Sequence, residues 1–342
     1  FPPEEMGFDT ASQRIRAGLS QLQAIAANAA SPRVVWVTVD AVAALEGDPV
    51  SGLSASGLWG LARSARAELP DLALRCIDLQ SGSLELLPAA LSLVEEPECA
   101  VRGGAVLVPR LVREASAGSW SSARGGAVLI TGGLGALGLR VAEWLVAEQG
   151  VLELVLTSRR GPEDPGAAEA VARLGALGGA ARVVSCDVSD AASLESVLRS
   201  IPSLRGVIHA AGVLDDGVLS SQTGARVAGV LSPKVAGAWN LHRLCGDVEF
   251  FVLLSSVAGV LGTAGQAGYC AGNSFLDALA GHRRSQGLPG VSIAYGPWAE
   301  SGMAASLDAR GQARLSRLGF GALASGEGLA LLEAGLGSSS SL

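Results

Sequence analysis

With 342 residues, 49% hydrophobic and 17% charged, the chain can bury one large or two medium cores, which excludes a disordered or fibrous protein. A formal charge of −7 with no basic block excludes nucleic acid as a partner, and five scattered cysteines without a C-x-x-C pair, beside three histidines, suggest neither a metal site nor a disulfide framework. The apolar runs Val128–Ile130, Leu152–Leu156 and Phe250–Leu254 are far too short to span a bilayer, and Phe1–Met6 lacks the basic and apolar parts of a secretory signal, so the expected setting is cytoplasmic with no membrane contact.

The first part of the chain reads as a weak α/β pattern: a strand at Arg33–Val39, a helix at Gly57–Glu68, and strands at Leu72–Asp78 and Ala105–Leu111. It carries no glycine-rich loop. The Ser/Gly/Ala-rich stretch Ser116–Gly125 reads as a linker, dividing a domain at 1–120 from one at 121–342. Beyond it, strands and helices alternate. Strands are expected at Ala127–Thr131, Leu152–Ser158, Arg182–Asp187, Gly206–Ala211, Phe250–Ser255 and Gly290–Ala294. Helices are expected at Leu137–Glu148, Ala167–Leu177, Ala192–Ser200, Lys234–Cys245 and Ala267–Ser285. That alternation predicts an α/β fold with a doubly wound parallel sheet of the Rossmann type. The Gly/Ser-rich end, Gly337–Leu342, reads as the start of a tether or as a frayed terminus.

Thr131 closes the first strand of this series, and Gly132-Gly133-Leu134-Gly135-Ala136-Leu137-Gly138 follows, a G-x-G-x-x-G spacing where a strand turns into a helix. Glycines there allow backbone amides and a helix N-terminus to approach a pyrophosphate. The next strand ends in Ser158-Arg159-Arg160, with no carboxylate to grip a ribose 2′-hydroxyl. A guanidinium at this point suits a 2′-phosphate, which predicts NADPH over NADH. Asp187 and Val188, after the third strand, are placed to read an adenine amino group. Ala210, Ala211 and Gly212, after the fourth, leave room for ribose and nicotinamide.

The run Phe250–Leu254 leads into Ser255-Ser256. A predicted helix then carries Gln266-Ala267-Gly268-Tyr269, with Asn273 one turn further on. Ser256 precedes Tyr269 by thirteen residues and Asn273 follows it by four. On these residues the chain resembles the short-chain dehydrogenase/reductase superfamily, and within it the ketoreductase domains of modular type I polyketide synthases. Most of that superfamily has Lys four residues after the Tyr. Asn273, with Lys234 upstream, matches the exchanged arrangement of polyketide ketoreductases, and Lys234 is the chain's sole lysine.

The resemblance implies catalytic roles for Lys234, Ser256, Tyr269 and Asn273. Tyr269 would donate the proton, its pKa of about 10 lowered by the neighbouring ammonium. Ser256 would hydrogen-bond the carbonyl oxygen, and Asn273 would hold a water or Lys234 for proton resupply. The resemblance further implies an acyl carrier protein presenting a 3-ketoacyl chain, with other synthase domains in the same polypeptide. Leu214-Asp215-Asp216 is similar to the L-D-D of B-type enzymes, which give the D-configured (3R) hydroxyl. Leu261 stands where the opposite class carries Trp. Gln266, Trp298 and Met303 complete the expected substrate-facing set, and Pro297, within Tyr295-Gly296-Pro297-Trp298, would flank the nicotinamide, followed by a lid helix at Ala304–Leu318. Leu58-Trp59-Gly60-Leu61-Ala62-Arg63 resembles the bracing, cofactor-free structural subdomain, here short at its start, as truncation or another domain inserted upstream would leave it. A free-standing alcohol dehydrogenase of the same superfamily, and a redox-silent or epimerising domain, are the alternative readings.

Overall fold

The structure is a computed structural model; it describes residues 7–27, 33–113, 120, 125–299, 319 and 321–337. The expected lid, Met303, most of the linker and the last five residues lie outside these. The chain divides into two compact units. The first comprises Phe1–Ala115, Val213–Val235 and Ser255–Gly290; the second comprises Ser116–Gly212, Ala236–Leu254 and Val291–Leu342. The units therefore interleave along the chain, and no single cut near residue 120 separates them.

In the first unit a four-stranded sheet has the order β1-β2-β3-β4, built from β1 (Val34–Val39), β2 (Leu74–Leu79), β3 (Glu98–Arg102) and β4 (Ala105–Leu107). β1–β2 and β2–β3 pair parallel, and β4 returns antiparallel. β4 is shorter than expected, and Pro109, which has no ladder N–H, lies just beyond it. β3 was not anticipated from sequence. It is buried along its length although it begins with Glu98 and ends with Arg102. Glu98 is ion-paired with Arg63 and Arg66, and Arg102 with Asp48 and Asp78. Burial of such charges is tolerable only when they are paired and hydrogen-bonded.

Helices α1 (Phe8–Ala26) and α2 (Gly57–Glu68) belong to this unit, with α3 (Leu87–Ser92). So do α7 (Gly224–Leu231), α9 (Val257–Leu261) and α10 (Ala267–Ser285). α2 and α10 occupy the residues expected for them. They meet backbone to backbone: a Cβ on Gly60 would lie 2.1 Å from the Cys270 carbonyl oxygen. That approach explains why Ser255–Gly290 clusters with the N-terminal segment.

The second unit holds a six-stranded sheet, order β10-β9-β8-β5-β6-β7. Its strands are β5 (Ala127–Thr131), β6 (Glu153–Ser158), β7 (Ala180–Ser185), β8 (Leu204–His209), β9 (Phe250–Ser256) and β10 (Val291–Tyr295). The pairs β5–β6, β6–β7, β5–β8 and β8–β9 are all parallel, so this is the doubly wound Rossmann sheet that the alternation predicts. Helices α4 (Ala136–Ala147), α5 (Ala167–Ala176), α6 (Ala191–Arg199), α8 (Gly237–Leu244) and α11 (Ser325–Gly337) complete the unit. Val128, Leu129 and Ile130 of β5 are wholly buried, each such side chain contributing roughly 1.5–3 kcal/mol. β7 starts and ends two residues earlier than expected, because its register with β6 runs from Glu153↔Ala180 to Ser158↔Ser185. Asp187 consequently stands beyond the strand.

Candidate active site

Strand order reverses between β5 and β8, the place where open α/β sheets bind ligands. The glycine turn leaves β5 there. Gly132 has φ of +66°, and a Cβ on it would fall 2.8 Å from Ala211 Cα. Gly135 is exposed, and the one contact a Cβ would meet is the Gly132 carbonyl at 3.1 Å. Gly133 and Gly138 are closed in by Leu156 and by Gly132. α4 begins at Ala136 with no side chain capping it, and the uncapped first turn of a helix suits an anion. Thr131 Oγ1 shares a 2.7 Å hydrogen bond with His209 Nδ1. The adjacent Thr157 hydroxyl is buried without a partner among the described residues.

At the β6 end, Ser158 Oγ accepts from the Gly161 amide at 2.9 Å. Arg160 pairs with Asp164, whereas the exposed Arg159 guanidinium makes no bond among the described residues. Asp187 Oδ1 accepts from the Ser189 amide (2.9 Å) and hydroxyl (2.6 Å). Val188 is buried, with its carbonyl bonded to Asn240 Nδ2. The Ala210 amide donates to the Thr131 carbonyl, and Ala211 and Gly212 follow. An uncapped helix start beside an open glycine, with an exposed arginine after the neighbouring strand, fits a nucleotide cofactor; its pyrophosphate would rest on the turn, Gly132 to Gly138.

In the first unit, α7 passes into a π-helical turn, Ser232–Ala236, and the wider turn carries Lys234. Pro233, which has no N–H to give to a regular α-helical bond, sits beside it. The buried Lys234 Nζ donates to Asn273 Oδ1 at 2.9 Å and lies 5.2 Å from the centre of the Tyr269 ring. Asn273 Nδ2 donates in turn to the Tyr269 carbonyl at 2.9 Å, so both ends of the amide are held. Ser256 Oγ caps α9, accepting from the Ala258 amide at 3.2 Å. The structure thus brings Lys234, Ser256, Tyr269 and Asn273 together.

Burial holds the Tyr269 phenol above its ordinary value, against the lowering influence of hydrogen bonds with Ser256 and Asn273. That direction is opposite to the one expected from the neighbouring lysine. Burial also lowers Lys234 to about 8, with Asp277 opposing. The common cause is desolvation, which disfavours phenolate and ammonium alike. Asp277 was missed in the sequence reading. The signal was available, since Tyr269, Asn273 and Asp277 recur every four residues along α10.

Asp215 is chelated by Arg226 (Nε 2.9 Å, Nη2 2.5 Å) and is held below the usual carboxylate range by it. Asp216 Oδ2 accepts from Gln266 Nε2 at 2.8 Å. Leu214 and Leu261 are exposed, at 36% and 48%. Trp298 departs from its expected substrate-facing role. It is 3% exposed, edge-on to Tyr295 at 5.2 Å, and would lie 2.4 Å from a Cβ on Gly328. Its ring belongs to the core of the second unit. Pro297 precedes it, its carbonyl accepting from the Leu323 amide at 2.7 Å.

Comparison with known proteins decides the family. Residues 126–300 match the KR domain family. The chain belongs to the ketoreductase domains of polyketide synthases. Residues 3–111 of this ketoreductase match the Rossmann fold domain of the polyketide synthase extender module SpnB, a stretch that holds the whole of the first sheet. It is 48% identical over 311 residues to the spectinabilin polyketide synthase system protein NorA' of Streptomyces orinoci, covering 89% of this chain and 8% of that protein. A solved A-type ketoreductase from a modular polyketide synthase superposes with a TM-score of 0.86 at 38% identity, covering 93% of this chain and 70% of the other. PlmKR1, from the first module of phoslactomycin biosynthesis in Streptomyces sp. HK803, does so at 0.87 and 36%, covering 95% and 78%. The chain thus spans between 4% and 16% of the length of the curated relatives it matches. As a ketoreductase domain it is an oxidoreductase of the short-chain dehydrogenase/reductase type, a type that binds a nicotinamide cofactor. Among the described residues no helix is long and apolar enough to cross a membrane, and no cluster of three His, Cys, Asp or Glu side chains is placed to hold a metal.

Proposed function

We propose that this ketoreductase uses NADPH to reduce the 3-keto group of an acyl chain, presented by an acyl carrier protein, to the D-configured (3R) hydroxyl, as one domain of a larger cytoplasmic synthase. The observation that carries the reading is the chain's single lysine, buried and bonded to Asn273 beside the Tyr269 ring. The bound cofactor supplies the hydride that the side chains lack.

The residues supply everything else. Tyr269, kept protonated by its burial, is the form of the phenol that gives a proton to the developing alkoxide. Ser256 donates a hydrogen bond to that oxygen, and the bond strengthens as negative charge accumulates. Lys234, with a pKa near 8, is charged at neutral pH, so it favours the phenolate once the proton has left. Asn273 fixes the ammonium in place. The free Arg159 guanidinium supports choice of a 2′-phosphate, and Leu214-Asp215-Asp216 supports the 3R product.

The test is incubation with NADPH and a racemic 2-methyl-3-ketoacyl thioester, followed by chiral analysis. The 3R alcohol should dominate; a predominantly 3S product would overturn the handedness. Tyr269→Phe should lower turnover by roughly 10²–10⁴-fold with unchanged melting temperature. Full turnover by that variant would remove Tyr269 as proton donor.

A further inference from the structure

Glu68 is the last residue of α2, in the region that carries no cofactor loop, and its carboxylate reaches two backbone amides distant in sequence. Oε1 accepts from the Leu219 amide at 2.7 Å and Oε2 from the Gly265 amide at 3.1 Å. Leu219 ends the segment that begins with Leu214-Asp215-Asp216. Gly265 lies in the segment that leads into Tyr269.

The two segments are also tied to each other. The Gly217 amide donates to the Gly265 carbonyl at 2.8 Å, and Gln266 bonds Asp216 as described. From α1, Gln23 Nε2 donates to the Leu219 and Gln222 carbonyls at 2.7 and 2.8 Å. Gln222 Nε2 bonds back to the carbonyls of Asp215 and Gly217. Apart from one 3-10 turn at Leu219–Ser221, neither segment has a ladder or helix of its own to define it. The second passes twice through left-handed backbone, at Gly262 (φ +79°) and Gly265 (φ +80°), a shape that local preference alone does not select. A carboxylate is the side chain that can serve both amides, because it accepts at both oxygens and donates at neither. Glutamine would turn an NH₂ toward one of them.

We propose that Glu68 is a positioning residue for stereochemical fidelity: it sets the spacing between the L-D-D segment and the Tyr269 segment, and so governs how strictly one hydroxyl configuration is made. This rests on the ketoreductase reading above. Glu68 touches no reacting atom. It acts through Leu219 and Gly265.

The test compares the 342-residue chain with its Glu68→Gln and Gln23→Leu variants. Two readouts are taken: the ratio of product alcohols from the racemic 2-methyl-3-ketoacyl thioester with NADPH, and backbone hydrogen exchange. Glu68→Gln should raise the share of the minor alcohol about tenfold, equivalent to roughly 1.4 kcal/mol of discrimination. It should also speed exchange in 213–222 and 262–266 together. Gln23→Leu, which loosens only the first segment, should speed exchange in 213–222 and shift the ratio less. A folded Glu68→Gln variant with the parental ratio, or with parental exchange in both segments, overturns the proposal. If that variant does not fold, a parental ratio in Gln23→Leu does so. Should the parent reduce no ketoacyl thioester, it is the ketoreductase reading that falls, and exchange still decides whether Glu68 joins the two segments.

Discussion

After β1 the chain turns at Asp40, a non-glycine residue with φ of 47°, and after β5 it turns at Gly132, φ 66°. In the first turn, Thr38 pairs in register with Asp78 of β2. The Asp78 carboxylate, wholly buried, accepts from the Thr38 hydroxyl (2.5 Å), the Ala41 amide (2.9 Å) and Arg102 Nη2 (2.6 Å). In the second, Thr131 pairs with Thr157 of β6, whose buried hydroxyl has no partner, and no side chain caps α4. Strand, turn and register correspond, but one turn has an anion built into the protein and the other has none. In a Rossmann-like layout a turn whose amide a side chain already satisfies has less to offer a phosphate than one whose helix start is left uncapped.

Removing the internal anion is the strongest way to break this comparison. Asp78→Ala takes one of two carboxylates from the buried Arg102, which keeps Asp48, and strands the Thr38 hydroxyl and the Ala41 amide, so chemical denaturation should report a loss of about 3 kcal/mol. Nucleotide affinity, measured by titration on the folded fraction, should not change; a weakened nucleotide would mean that the two turns are not independent. Gly135→Val should do the reverse, raising the Kd for NADPH roughly 10- to 100-fold with little change in melting temperature, because its side chain meets little protein but occupies the anion's approach. Arg159→Ala should raise the KM for NADPH about tenfold and leave that for NADH unchanged. Equal effects on both would refute the 2′-phosphate role.

The smallest effect is on pH dependence. Lys234 titrates near 8 in the folded protein against 10.5 ordinarily, so the unfolded chain binds more protons between these values. Stability from this site therefore rises with pH across that window, and the penalty of the buried ammonium is present in full below it. Reduction rates should fall as pH climbs through about 8, and Lys234→Met should abolish that inflection in kcat/KM.

Much of this was readable before any coordinates. Gly57–Glu68 and Ala267–Ser285 have helical apolar spacing and ends that match to the residue. The glycine turn and the Ser256, Tyr269, Asn273 spacing are local patterns, and Lys234 stood out as the sole lysine. α1 was missed in the sequence reading, although its stripe of Ala11, Ile15, Leu19 and Leu22, all buried, has helical spacing. β3 carried no such signal, since Glu98 and Arg102 argue for solvent until their partners from α2 and β2 are known. Glu68 was equally hidden. Its meaning depends on amides some 150 and 197 residues away, which no window of sequence brings together.

The interleaving of the two units bears on how such domains are exchanged between synthases. A graft of residues 126–300 from a donor enzyme imports Ser255–Gly290, and with it a foreign α10 against the resident α2. At Gly60 that seam has no tolerance for even one methyl group. Chimeras that carry 8–300 as one block keep the mated surfaces from a single parent.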